Sequence, residues 1–150
     1  MNDLFDLQYD HPLFRYLEGE QRERLESLAE EIRVESGEYL IRKNDQDSTL
    51  FAVLAGRLEI VVGTEGEERV LATVGPGDVL GEVSFIDDSP RSVSVRAGET
   101  TVVRAWRKDI LTAVLRNDPW VLARFSAGLN MLLVERLRDT VARQGSFRPV

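Results

Sequence analysis

Residues 81–92 read Gly-Glu-Val-Ser-Phe-Ile-Asp-Asp-Ser-Pro-Arg-Ser and lie between two apolar runs with the character of β-strands. Arg91 carries a permanent charge and five N–H donors in a planar fork, which suits phosphate oxygens. Glu82, when ionised, accepts hydrogen bonds, for example from a sugar hydroxyl. Gly81 lets a ligand approach the backbone closely, and Pro90 fixes the backbone that leads to Arg91. The stretch therefore predicts a pocket for a ligand with one hydroxyl-rich end and one phosphate.

Each of these residues has a plainer explanation when it is taken alone. An isolated surface arginine is usually solvated or weakly paired with a carboxylate, and Asp87 and Asp88 are close in sequence. A Gly-Glu pair after a strand is usually a turn. The combination at this spacing, with proline before the arginine, favours a binding site. We also expect a short helical turn to begin near Glu82. The free backbone N–H groups of that turn would then point at an anion.

The stretch closely resembles the phosphate-binding cassette of cyclic-nucleotide-binding domains. The resemblance extends from about Pro12 to the helices after Trp106, and the cassette is its most specific part. The other matching segments are the helical opening Pro12-Leu13-Phe14 with Leu17, the turn and strand 36–41, the strand, glycine turn and returning strand 51–60, and the turn 75–80.

The resemblance implies a mainly β fold with flanking helices, in which eight strands form a β-roll of the jelly-roll type. Residues 1–143 are expected to form a single cyclic-nucleotide-binding domain. Its parts are an N-terminal helical segment (1–35), the β-roll (36–106) and C-terminal helices (107–143), followed by a flexible tail (144–150).

The resemblance also implies a role for each cassette residue. Glu82 would bind the ribose 2′-hydroxyl and Arg91 the cyclic phosphate of cAMP or cGMP, with no metal, cofactor or catalytic residue. Phe85 would pack against the following helix and act as the switch. Further contacts would come from backbone N–H groups near two serines and from small or apolar residues around the sugar and base: Gly81, Val83, Ser84, Ser92 and Val93.

Three positions depart from the pattern of the family. Ser84 and Val93 stand where alanine is most frequent, and the bulkier Val93 is expected to narrow the pocket or alter base preference. Asn44 and Asp45 replace a common Gly-Asp turn. Asparagine tolerates the left-handed backbone conformation, so that turn is expected to survive.

Hydrophobic periodicity gives the order of elements as helix, many short strands and helices. Apolar residues in 19–32 fall on one face of an amphipathic helix, and residues 38–106 are strand-like with frequent turn signals. Two runs show the alternation of a strand: Leu58, Ile60 and Val62 with Arg57, Glu59 and Val61, and Val93, Val95 and Ala97 with Ser92, Ser94 and Arg96. Residues 107–116 read as a helix whose apolar residues are Ile110, Leu111, Val114 and Leu115. Asp118 is expected to cap a last helix that begins at Pro119 and runs to about residue 143.

The last helix, 119–143, has an apolar stripe wider than one coiled-coil seam. Part of it must pack on the roll, and we expect another face to pair with the same helix of a second copy. Asn130 would then set the register of a homodimer. The stripe consists of Leu122, Phe125, Leu129, Leu132, Leu133, Leu137 and Val141.

Composition restricts the class of protein. The chain has 150 residues, no cysteine and a net charge of −7, of which residues 1–100 contribute −12 and residues 101–150 contribute +5. The acidic part would repel nucleic acids, so no DNA partner is expected. No basic-then-apolar leader and no apolar run of about 20 residues occurs, so the expected location is cytoplasmic, away from membranes.

Two rival classes are disfavoured. Metal-dependent jelly-roll enzymes use several histidines, whereas His11 is the single histidine here and is expected to be structural, so the chain is not expected to be an enzyme. Transcription factors of the catabolite-activator type need a helix-turn-helix after the long helix, and only about seven residues follow Arg143.

The sequence thus predicts a stand-alone cyclic nucleotide receptor that moves its C-terminal helices to regulate a dimer or an unknown protein effector. The alternative is a roll that no longer binds nucleotide and serves as an interaction scaffold. The base is left open between cAMP, cGMP and, less readily, a larger cyclic dinucleotide. The helix residue that covers the pocket is also open, with Arg124, Leu129 and Leu133 as candidates.

Overall fold

The computed structural model describes residues 11–64 and 66–144. A 3₁₀ helix opens the described part, and a helix of 26 residues ends it. In chain order the elements are the 3₁₀ helix Pro12–Phe14, α1 (Gly19–Ser27), β1 (Glu30–Val34), β2 (Tyr39–Ile41), β3 (Thr49–Ala55), β4 (Leu58–Val62), β5 (Arg69–Val74), β6 (Val79–Leu80), α2 (Glu82–Asp87), β7 (Ser94–Ala97), β8 (Thr101–Arg107), α3 (Lys108–Val114) and α4 (Pro119–Gln144).

The strands form two antiparallel sheets of four strands each, in the orders β1-β8-β3-β6 and β2-β7-β4-β5. The predicted eight-stranded roll with flanking helices is therefore confirmed. Strand β3 lies inside the first sheet and is buried on both faces, which explains its unbroken apolar sequence. Successive side chains of a strand point to opposite faces, so β3 contributes to two separate cores.

One core fills the roll between the two sheets, and the other lies between the first sheet and the helices. Phe51 and Val53 of β3 point into the roll, whereas Leu50 and Ala52 face the helices. The helix-facing core couples the cassette to the C-terminal helices. Its largest fully buried side chains are Leu13, Leu25, Leu50, Trp106, Leu111, Leu115, Phe125 and Leu129.

The prediction of one helix over residues 19–32 is wrong beyond Ser27. Helix α1 ends there, and β1 pairs antiparallel with β8, with Ile32 opposite Val103. The helical spacing of apolar residues is real but local, and pairing with a distant strand overrides it. The strands of the roll accordingly begin at Glu30 rather than at residue 36.

The predicted alternation along β4 holds for Leu58 and Ile60, which pack in the roll core, but Val61 is buried and Val62 only half-buried. The irregularity near Val61 has its extra residue, Leu71, in β5 rather than in β4. The predicted alternation in β7 holds, and so does the start of α4 at Pro119. Helix α3 buries only part of its predicted apolar face, because Leu111 and Leu115 are buried while Ile110 and Val114 are exposed.

Three further predictions bear on the chain ends and on membranes. The tail was predicted to begin at residue 144, but α4 includes Gln144. Residues 145–150 lie outside the described residues, as does the acidic N-terminal segment 1–10. Within the described ranges, no helix combines the length and the apolar character that a membrane span requires.

Candidate ligand-binding site

The cassette helix α2 closes one end of the roll, and the pocket lies between this helix and the interior of the two sheets. The cavity has a volume of about 130 Å³. Six of the seven predicted binding residues lie in 81–92, and all seven line this cavity. The lining consists of Ile41, Ile60, Leu80, Gly81, Glu82, Val83, Ser84, Arg91, Ser92, Val93 and Val95.

Gly81 is required at the start of α2 for two structural reasons. Its φ of +83° lies in the left-handed region, which side-chain-bearing residues rarely adopt. A Cβ atom at this position would lie 2.7 Å from the carbonyl oxygen of Thr49 and 2.8 Å from Nη1 of Arg91. The sequence predicted close approach of a ligand here, whereas the close neighbours in the structure are the protein's own backbone and Arg91.

Arg91 is 4% exposed and is held by three acceptors. Its Nη1 donates to the carbonyl oxygen of Gly81 at 3.1 Å, and its Nη2 donates to the carbonyl oxygen of Thr49 at 2.7 Å and to Oδ2 of Asp47 at 3.0 Å. Its Nε is buried and has no hydrogen-bond partner among the described residues. Buried polar groups nearly always have a partner, so this donor is open to an acceptor that the described residues do not supply.

The carboxylate that pairs with Arg91 is Asp47, and not Asp87 or Asp88, which the plainer explanation of this arginine considered. Asp88 pairs instead with Nζ of Lys108 at 3.1 Å. Burial opposes ionisation of Asp47, but hydrogen bonds from Thr49 and Arg91 outweigh it and hold the pKa of Asp47 below its ordinary value. Asp47 is therefore ionised at neutral pH and holds the guanidinium in place.

The turn before β3 holds the backbone of Arg91. The backbone N–H of Arg91 donates to the carbonyl of Asp45 at 2.9 Å, and the N–H of Asn44 donates to the carbonyl of Arg91 at 2.8 Å. Asn44 has a φ of +74°, which confirms the expected left-handed turn. Asn44 thus adopts the left-handed conformation that glycine more commonly adopts at this position, and the turn still holds the backbone of Arg91.

Glu82 is the first residue of α2 and lines the same cavity as Arg91. Its Oε1 accepts a hydrogen bond from Nη1 of Arg136 at 3.1 Å, and Nη2 of Arg136 donates to the carbonyl of Val79. Sequence reasoning missed Arg136. The sequence offered one signal, namely that Arg136 interrupts the otherwise apolar stripe of α4. The position of Arg136 over the cassette, however, depends on how α4 packs.

None of the three candidates for covering the pocket is among the residues that line it. Arg124 points to α1, where its Nη1 lies 3.5 Å from Oε1 of Glu18, and Leu129 is buried in the helix-facing core. Leu133 is half-buried. The α4 residue that contacts the cassette by hydrogen bonds is Arg136.

Phe85 links the cassette to the helices. It is buried, and its ring meets that of Phe125 edge-on with 6.2 Å between centroids. Phe125 in turn contacts Trp106 of β8 at 5.4 Å. The expected packing of Phe85 against a following helix is therefore present, and the helix concerned is α4.

The remaining cassette residues differ in exposure. Ser84 is buried, whereas Val83 and Ser92 are exposed at the mouth. Val93 is half-buried and forms part of the wall.

The single histidine has a structural role. Nε2 of His11 lies 2.7 Å from the carbonyl oxygen of Gly77, and its Nδ1 accepts a hydrogen bond from the N–H of Leu13 at 3.1 Å. In the described part of the chain, no group of three or more His, Asp or Glu side chains is placed to hold a metal ion.

The site combines a buried arginine that has a spare donor with a nearby carboxylate that can accept a hydrogen bond. Both are enclosed by a β-roll. This arrangement is that of a binding domain for a small organic phosphate. The model of the cyclic nucleotide-binding domain family matches residues 31–118. The chain belongs to this family, whose defining property is binding rather than catalysis.

The similarity to individual proteins agrees with this membership. The chain is 31% identical over 129 residues to the cyclic AMP receptor protein of Thermus thermophilus and 34% identical over 130 residues to the Pycsar effector protein XpPycTIR of Xanthomonas perforans. These matches cover 85% and 86% of this chain but only 58% and 42% of the two relatives. A cyclic nucleotide-binding domain from Methylobacillus flagellatus superposes with a TM-score of 0.76 at 25% identity, over 89% of this chain and 77% of that one.

Proposed function

We propose that the chain is a cyclic nucleotide receptor, with cAMP or cGMP as the first candidates. The observation that carries this proposal is the buried Nε of Arg91, which lacks a partner among the described residues. A cyclic phosphate supplies an acceptor for that donor in a charge-assisted bond. The name of the Thermus relative, a cyclic AMP receptor protein, supports the same ligand class.

Glu82 and Arg91 divide the recognition of the ligand between them. Arg91 and the backbone near Ser84 and Ser92 would bind the phosphate, and Glu82 would accept the hydrogen bond of the ribose 2′-hydroxyl. The apolar wall, which includes Val93, would contact the sugar or the base. No reaction is proposed, because binding alone accounts for these groups.

Ligand binding would be passed to α4 through Phe85. An ordered cassette changes the position of Phe85, and the edge contact with Phe125 transfers that change to the helix. A ligand shifts such an equilibrium only by its difference in affinity between the two states. The output is altered pairing with a second copy or with a protein effector.

The second copy is supported by an exposed seam on α4. Residues spaced alternately by three and four positions run along the side that does not face the roll, and Trp120 and Leu137 are 70% and 54% exposed. Such spacing is typical of a two-stranded coiled coil, and a single polar residue in the seam specifies register. The seam consists of Trp120, Ala123, Ala127, Asn130, Val134, Leu137 and Val141.

We expect Leu137→Arg to convert a homodimer into monomers. An unpaired charge in an apolar interface costs several kcal/mol, so the dimer dissociation constant should rise at least about tenfold. Sedimentation equilibrium of the wild type and the variant measures this. Ala142→Arg adds the same charge at an exposed position outside the seam and should leave the dimer intact. A wild type that stays monomeric with and without nucleotide would rule out the seam as a dimer interface.

The receptor proposal is tested by thermal unfolding with cAMP, cGMP, cCMP and cUMP at equal concentrations, with 5′-AMP as the matched acyclic control. A ligand at about 100 times its dissociation constant adds roughly 2.7 kcal/mol to stability, which raises the melting temperature visibly. We expect a rise with at least one cyclic nucleotide and none with 5′-AMP. No rise with any of them, in protein free of co-purified nucleotide, would favour the scaffold alternative.

A further inference from the structure

Arg136 of α4 forms a bridge between the far half of that helix and the cassette. Its guanidinium bonds both the Glu82 carboxylate, at 3.1 Å, and the carbonyl of Val79, the residue that begins β6. The Glu82 side chain is only 18% exposed, so little water competes for it. The acceptor proposed for the ribose hydroxyl is thus already bonded within the chain.

The same bridge helps to hold the end of α4. Beyond Leu133 most residues of α4 are exposed. Among the described residues, two ion pairs join this last part to the rest of the molecule, namely Glu135 with Arg15 and Arg136 with Glu82. The pair with Arg15 is exposed on both sides, and exposed pairs contribute only about 0–1 kcal/mol. The Arg136 bridge is the better buried of the two.

The cavity beside the cassette is small for a nucleotide. Sites for small molecules usually measure about 300–1,000 Å³, whereas this cavity measures about 130 Å³. The sheet residues of the wall are fixed by strand pairing, so the parts free to yield are the cassette and the Arg136 bridge that ties it to α4. A sugar hydroxyl that takes the place of Arg136 on Oε1 of Glu82 would disturb the bridge.

We propose that Arg136 competes with the ligand for Glu82, so that binding of the sugar releases the far half of α4 from the cassette. The inference rests on the proposed receptor function and adds a second route to α4 beside the Phe85 contact. It also assigns Arg136 as a positioning residue that weakens binding in order to couple binding to the helix. Coupling of this kind is reciprocal, so holding α4 in place must lower ligand affinity.

The first test measures affinity by calorimetry with whichever cyclic nucleotide stabilises the wild type. Arg136→Met keeps the apolar stem and removes the competitor, so we expect about fivefold tighter binding, equivalent to about 1 kcal/mol. Arg136→Lys retains the charge but cannot bond both acceptors at once. Its affinity for the nucleotide should therefore lie between those of the wild type and Arg136→Met. Arg138→Met is the matched control, because Arg138 is exposed and lies ~200° around the helix axis from Arg136.

The second test needs no ligand. Hydrogen exchange of backbone amides between residues 130 and 140 should be faster in Arg136→Met than in the wild type, because the bridge that protects the helix is gone. Nucleotide should speed exchange in the wild type and leave the variant nearly unchanged. A substitution that merely loosened the fold would speed exchange throughout the roll and would not tighten binding.

Two results would overturn the proposal. Binding that is at least fivefold weaker in Arg136→Met would mean that Arg136 contacts the nucleotide itself. Unchanged affinity together with unchanged exchange in Arg136→Met would mean that the Arg136 bridge neither restrains α4 nor competes with the ligand. A wild type that binds no cyclic nucleotide would instead refute the receptor function, and the competition with it, while the ligand-free exchange still measures the tie between Arg136 and the cassette.

Discussion

Replacing Arg91 with alanine should lower the affinity for the stabilising cyclic nucleotide about a hundredfold. Charged hydrogen bonds contribute about 1.5–3 kcal/mol each, and a loss near 3 kcal/mol corresponds to that factor. Arg91→Lys should also lose at least about tenfold, because an ammonium group cannot satisfy three fixed acceptors and a phosphate together. The acceptors at Gly81, Thr49 and Asp47 would lose their donor in Arg91→Ala.

Calorimetric titration measures these affinities, with denaturant unfolding of each variant to establish that the fold is retained. Arg116→Ala is the matched control, because Arg116 is an exposed arginine on the loop between α3 and α4. It should bind as the wild type does. Wild-type affinity in Arg91→Ala would show that the pocket between α2 and the roll is not the nucleotide site.

Replacing Phe125 with alanine should lower the free energy of unfolding by about 3–5 kcal/mol, the usual cost of truncating a buried aromatic side chain. Phe125 is 0% exposed and contacts both Trp106 and Phe85. The resulting cavity would lie where the cassette, the first sheet and α4 meet. Phe125→Leu retains most of the apolar volume and should cost less, while removing the ring contact with Phe85.

Urea unfolding followed by tryptophan fluorescence measures this effect. Val114→Ala serves as the control, because Val114 is exposed on α3 and should change stability by less than about 0.5 kcal/mol. A loss below about 1 kcal/mol in Phe125→Ala would mean that α4 does not depend on this contact. The Phe85 route to α4 would then have to be abandoned.

Local chemistry made much of the site predictable. The left-handed turn at Asn44, the helix that begins at Glu82 and the placing of Glu82 and Arg91 on one pocket all follow from residues close together in sequence. Turn preferences and helix starts act over a few residues. The residues around Asn44 therefore determine that turn, and the segment 81–92 determines the start of the helix. The cassette could therefore be predicted to be a binding element from the sequence alone, without knowledge of any tertiary contact.

Long-range partners were not predictable in the same way. Arg91 pairs with Asp47, which is 44 residues away, and Glu82 pairs with Arg136, which is 54 residues away. Nearby Asp87 and Asp88 were the natural candidates by sequence distance, and the structure turns them elsewhere. Which charges meet is decided by how β3 and α4 pack on the cassette.

The same division applies to the whole molecule. The sequence by itself determined the cassette and the order of helices and short strands, because each depends on local conformation and on the alternation of apolar residues. Only the tertiary structure decided that residues 30–34 join the roll as β1 and that Arg136 reaches Glu82. Pairing with a distant strand or helix contributes free energy that local preferences do not contain, and it overrides them wherever the two conflict.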